Sequence, residues 1–161
     1  KAELKQVGVK VDFEDAVKAF SLTLKQQASS SSTGNVLNLL SCYRKLKETV
    51  KSKELASHLK KSIADVCWLR TRLVDYRYPR NCILFGPEWE SISFITVLAF
   101  VDDSDKCYGK AIHDYRRELQ SIGVITDLKD GVKMVLAGLR FPSDPSCILP
   151  TSVLSLLQCI R

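Results

Sequence analysis

Apolar residues return every three or four positions along several stretches of this chain, the spacing that lines one face of a helix. Leu55, Leu59, Ile63, Val66 and Leu69 predict a helix from Lys53 to Arg70. Ile112, Tyr115, Leu119 and Ile122 predict another that starts near Gly109. Phe13, Val17, Phe20 and Leu24 mark a third, and Leu128, Val132, Val135 and Leu139 a fourth. Further helices are expected from about Asn35 and about Thr151. Between them, Asn81–Phe85 reads as a buried strand closed by Gly86-Pro87, and Ser91–Phe100 fits strand and helix alike. Pro79 ends the first helix, because the residue before a proline is pushed out of the helical region.

The third and fourth stripes belong to a larger echo. Glu3–Lys18 (ELKQVGVKVDFEDAVK) and Glu118–Lys133 (ELQSIGVITDLKDGVK) share eight of sixteen residues at an offset of 115. Each is read as a helix end, a glycine turn at Gly8 or Gly123, and a short strand at 9–11 or 124–126. An aspartate N-cap, Asp12 or Asp127, then opens a helix, with Asp15 or Asp130 suited to its positive N-terminus. Loops follow, Ser29–Gly34 in one copy and Phe141–Ser146 in the other. At an offset of 117, Leu37–Arg44 (LNLLSCYR) then matches Leu154–Arg161 (LSLLQCIR) at five of eight positions. The expectation is an α+β, mostly helical chain built as a tandem repeat of about 116 residues per unit. Each unit runs helix–strand–helix–strand–helix–helix, the first copy being truncated. Residues 1–44 are expected to close a first repeat and residues 45–161 to form a complete second one.

Composition narrows the class. With 45% hydrophobic and 26% charged residues the chain suits a globular protein. No apolar run approaches the roughly 20 residues of a membrane span, so no membrane partner is expected. Six cysteines, Cys42, Cys67, Cys82, Cys107, Cys147 and Cys159, lack the paired spacing of a metal site. Cys42 and Cys159 fall on matching apolar faces and read as small core residues. Scattered thiols point to an intracellular, cytoplasmic or nuclear, reducing compartment.

The net charge of +6 is uneven, with 16 Lys/Arg against 8 Asp/Glu in residues 1–80 and 8 against 10 in residues 81–161. The excess peaks between Arg44 and Lys61. Such a stretch attracts phosphates or acidic partners, or is the solvated face of a helix pair. Arg44, Lys45, Lys47, Lys60, Lys61, Arg70, Arg77 and Arg80 are the candidate contacts to a protein partner or a nucleic acid. Trp68, Tyr76, Tyr78 and Trp89 lie among the arginines, either as stacking platforms for single-stranded bases or as the anchors of a small core.

Catalytic and ligand motifs are incomplete in this chain. Asp103 and Asp105 begin a calcium-loop pattern, but Cys107 and Tyr108 stand where a ligand and a turn glycine are needed, so the loop reads as capping acid. Gly109-Lys110 lacks the earlier glycine of a phosphate loop, which falls on Ser104. His58 and His113 read as surface residues, with no nucleophile assignable to either. No catalytic, cofactor or metal residue is assigned, and no small-molecule substrate.

An ordered series of short motifs carries a resemblance. It runs Trp68-Leu69-Arg70-Thr71, Pro79, Cys82-Ile83-Leu84-Phe85, Pro87-Glu88-Trp89, Phe100-Val101-Asp102, Tyr108-Gly109, Tyr115-Arg116-Arg117-Glu118-Leu119 and Gly123-Val124. This order resembles the C-terminal region of large plant proteins related to NO VEIN, the histidine kinase, gyrase B and Hsp90-like ATPase family, which is similar to sacsin. Leu98-Ala99-Phe100 departs from it in lacking a proline. The resemblance implies a very large intracellular, chaperone-like parent with its ATP-binding domain elsewhere. This segment would then be a non-catalytic scaffold or protein-interaction module, contacting protein partners or neighbouring modules of the same chain. The alternative is a nucleic-acid-binding module using residues 44–61 and the Arg/aromatic segment 68–89.

Overall fold

A computed structural model describes residue 19 and residues 33–49, 53–93, 95–140 and 142–160. The first copy of the echo, with Gly8, the 9–11 strand, Asp12 and the helix through Leu24, lies outside the described residues apart from Ala19. The remainder is α+β and mostly helical, with one two-stranded sheet.

Helix α1 (Thr33–Glu48) turns Val36, Leu39, Leu40, Tyr43 and Leu46 into the core, a spacing of three or four residues along one face. Lys45 and Lys47 sit in its last turn, where cations favour the helix dipole, and the Thr49 hydroxyl donates to the Lys45 carbonyl at 3.0 Å. The helix runs through residue 44, the expected boundary between the two copies, and packs with the residues that follow it. Helix α2 (Lys53–Ala64) lies against α1 and buries Ala56, Leu59 and Ile63. It stops short of the expected end at Arg70. The Trp68 indole N–H donates to the Ile63 carbonyl at 2.6 Å, satisfying an end group of the helix and folding the chain back. Strands β1 (Leu69–Arg70) and β2 (Tyr76–Arg77) then pair antiparallel. Val74 holds φ +62 in the turn between them.

The expected strand at 81–85 becomes a 3₁₀ turn (Pro79–Asn81) followed by an extended segment centred on Ile83. Ile83 bridges in parallel to Phe100 on one side and Ile125 on the other, so residues 82–84 run between two further extended segments. Thr71 bridges Val101 and so joins the hairpin to this ladder. The 124–126 strand is thus a single bridge. Strand alternation still divides the side chains. Leu84, Val101 and Val124 enter one core with α1, α2 and Trp68, while Ile83, Phe100 and Ile125 enter a second with Trp89 and Ile92.

Ambiguity over residues 91–100 resolves into both forms. Helix α3 (Pro87–Ser93) is followed by bridges at Thr96 and Phe100. Lys110–Tyr115 is a 3₁₀ helix leading into α4 (Arg116–Ser121). Gly123 ends α4 as expected. At φ +106 its N–H donates to the Gln120 carbonyl, and the Val124 N–H to that of Leu119, both at 3.0 Å, a Schellman closure that favours glycine.

Asp127 does not cap the next helix with its side chain. Its carboxylate accepts from Arg116 at 3.0 Å, and a 3₁₀ turn (Leu128–Gly131) precedes α5 (Val132–Gly138). The chain closes with α6 (Pro150–Ile160), whose Leu156 packs on the second core. Two helical layers therefore flank the short ladder, α1, α2 and α4 on one face and α3, α5 and α6 on the other. Among the described residues no helix is long and apolar enough to cross a membrane.

Candidate functional site

The eight candidate basic residues separate into two groups. Lys45, Lys47, Lys60 and Lys61 are exposed on the packed pair α1 and α2, the solvated-helix arrangement. The four arginines instead meet carboxylates. Arg77 pairs with Asp75 at 2.7 Å, Arg80 with Asp65 at 3.2 Å, and Arg70 approaches Asp102 at 3.5 Å. Arg80 also lies over the Tyr78 ring, 4.6 Å from its centre. Of the four aromatics around these arginines, Trp68 and Trp89 are fully buried, Tyr76 is half-buried and Tyr78 is exposed. The two tryptophans are core anchors and present no stacking face.

Arg44 is the fourth arginine, and it builds a junction. Its guanidinium donates to Glu118 Oε2 at 2.9 Å and to the Asp114 carbonyl, and lies 4.4 Å from the centre of the Tyr115 ring. One turn away, the Tyr43 hydroxyl hydrogen-bonds Ser121 Oγ at 3.0 Å. Glu118 is nearly buried, and burial alone would raise its pKa. The hydrogen bond from Arg44, a backbone hydrogen bond and the nearby charges of Arg44 and Lys47 together outweigh that, holding the carboxyl below its ordinary value. Helix α1 is thereby locked to α4 through both its apolar face and an ion pair whose carboxylate is buried.

A second cluster gathers on Asp103, which reading along the chain treats as capping acid. Its carboxylate is almost fully buried and accepts from Arg72 at 2.6 and 2.9 Å, Lys110 at 3.0 Å and His113 at 3.0 Å. Burial pushes its pKa up, but the bonds from His113, Arg72 and Lys110 together hold it well below the usual carboxylate range. Arg72 lies between this carboxylate and the rings of Phe85 and Phe100, 4.2 and 5.6 Å from their centres. No acid of this loop caps the helix that follows, whose N-cap is Gly109; Asp102 instead closes a local turn, accepting from the Ser104 N–H at 3.3 Å and hydroxyl at 2.7 Å. His113, read from sequence as a surface residue, is a half-buried partner of Asp103.

Arg116 is a further residue that sequence reasoning passes over. It donates to the Thr126 carbonyl at 2.8 Å, to Asp127 at 3.0 Å and to Glu88 at 3.2 Å, tying α4 to the 124–126 segment and to α3. Only the motif Tyr115-Arg116-Arg117-Glu118-Leu119 had singled it out, and that without a role. Among the described residues no three His, Cys, Asp or Glu side chains gather as a metal site. Burial pushes the Cys82 thiol up to about 12, which leaves it protonated and unreactive at neutral pH.

These contacts join elements of the fold and neutralise charge locally. No protein-family model, curated protein or solved structure matches the chain.

Proposed function

We propose that this chain is a non-catalytic scaffold segment of a large intracellular protein of the Hsp90-like ATPase family, assembled from repeated modules of about 116 residues. The observation that carries the reading is α1. In the sequence it closes the first copy of the repeat, yet it supplies Val36, Leu39, Leu40, Tyr43 and Leu46 to the core formed by the copy that follows. A helix that ends one unit and completes the next makes adjacent units cohere, which is how tandem arrays gain stability that one unit lacks. The charged clusters fit the same role. Asp103 spends its hydrogen-bonding capacity on Arg72, Lys110 and His113, and Glu118 accepts from Arg44, so both carboxylates act as internal fasteners.

The nucleic-acid reading keeps one observation in its favour, the exposed Lys45, Lys47, Lys60 and Lys61 on the α1–α2 pair. It has lost the two tryptophans as stacking partners. Titrating the chain with DNA and RNA oligonucleotides at low and at high salt separates the two. The scaffold reading predicts no binding at low salt. An affinity that falls steeply with added salt would establish phosphate recognition and replace it.

A further inference from the structure

Helix α6 matches α1 at five of its eleven positions but leaves exposed part of the face that α1 buries. At the offset of 117, Val153 stands for Val36, Leu154 for Leu37 and Leu157 for Leu40. Val36 is 1% and Leu40 0% exposed, whereas Val153 is 44% and Leu157 58% exposed. Leu37 packs on the first core, and Leu154 lies open to solvent.

The opposite sides of the two helices are reversed in the same way. In α6, Ser152 is fully buried and donates from its hydroxyl to the Ser91 carbonyl of α3, while Ser155 Oγ meets Ser91 Oγ at 2.6 Å. Their counterparts on α1, Asn35 and Asn38, are exposed. So α6 holds the layer containing α3 and α5 through Ser152, Ser155 and Leu156, while α1 holds the layer containing α2 and α4 and leaves Asn35 and Asn38 exposed; the matching Leu39 and Leu156 face a core in both.

We infer that the Val153/Leu154/Leu157 face of α6 docks on the α2–α4 layer of a further copy of the module, in the seat that α1 occupies here. The inference rests on the tandem-module reading above and names its interface. Three observations select this occupant. The seat already exists in this structure, floored by Leu59, Ile63, Ile112 and Leu119, and it accepts a helix of the α6 pattern. In the exposed face Val153 and Leu157 repeat the types and spacing of the seated Val36 and Leu40, and Leu154 repeats Leu37 at the edge of the seat. The charge also matches, since Arg161 stands in register with Arg44, and the seat carries Glu118, the carboxylate that binds Arg44. A helix docked on both sides would be shared by two modules, and the array would propagate head to tail with each junction identical.

The test appends a second copy of residues 45–161 directly after Arg161, which preserves the 117-residue register, and compares the extended chain with the 161-residue chain. Hydrogen exchange of the α6 amides should slow by at least about tenfold in the extended chain, toward the protection of α1. Leu157→Asp should leave the denaturation midpoint of the 161-residue chain in place. In the extended chain it should lower the midpoint of the appended copy. Unchanged α6 exchange, or an equal effect of Leu157→Asp in both chains, would overturn the docking. So would an appended copy that does not fold, because α6 would then have failed to replace α1. A dimer of the 161-residue chain dissolved by Leu157→Asp would assign the face to self-association and overturn it too. None of these results touches the likeness of residues 3–24 to 118–139, which tests the repeat itself.

Discussion

Arg44 reaches Glu118 across 74 residues of sequence, its guanidinium 2.9 Å from a carboxylate that is almost removed from water. Both residues belong to the repeat pattern, Arg44 matching Arg161 and Glu118 matching Glu3. The pair should be worth more than an exposed ion pair, about 1–2 kcal/mol against 0–1, because Glu118 is desolvated while the Arg44 side chain remains 37% exposed. A double-mutant cycle of Arg44→Met and Glu118→Gln in urea should give a coupling energy in that range. Arg44→Met alone should cost more than Glu118→Gln alone, since it strands a buried charge.

Asp103 predicts an acid limb. Its pKa is depressed in the folded state, so its stabilising contribution is full above the unfolded carboxylate value of about 3.9 and fades as pH falls toward the folded one. Asp103→Asn should therefore destabilise the chain near neutrality by about 1–3 kcal/mol, and the loss should shrink as pH drops below about 4. Denaturation midpoints from pH 7 down to pH 3 check both the size and the sign.

Two glycines should answer oppositely to alanine. A Cβ on Gly131 would run into the Trp89 ring, which is rigid and fully buried, so Gly131→Ala should cost about 1–3 kcal/mol. Gly34, in the first turn of α1, has no neighbouring atom within 4 Å of that position. Gly34→Ala should be neutral or stabilise by up to about 1 kcal/mol through helix propensity. Thermal melts of the two variants beside the parent decide it.

Trp68 and Trp89 should report burial directly. Both are fully enclosed, so emission should be blue-shifted and resistant to iodide quenching, and oligonucleotides should leave it unchanged. Quenching by added single-stranded DNA would contradict the packing described for both rings.

Part of the local chemistry was legible in the sequence. The Gly123 turn, helices starting near Asn35 and Thr151 and the apolar stripe of α2 follow from spacing, glycine and the repeat. The end of α2 was not legible, because Val66 and Leu69 continue the helical period. What stops the helix is the Trp68 indole N–H finding the Ile63 carbonyl, a choice made by packing. Asp127 looked like a cap by position and is instead claimed by Arg116. The Asp103 cluster was invisible for a plainer reason. Arg72 lies 31 residues away and joins it only through the bridge of Thr71 to Val101. Of the candidate basic residues, sequence identified the charge but not its partners, since Asp65, Asp75, Asp102 and Glu118 are brought in by the fold.

Whether one module occurs twice is decided by a crystal structure of the full chain, read at residues 3–24. Those residues should superpose on residues 118–139, with Gly8 at positive φ like Gly123 and a helix carrying Phe13, Val17, Phe20 and Leu24 on its buried face. A different path for residues 3–24, or an extended Gly8, would contradict it.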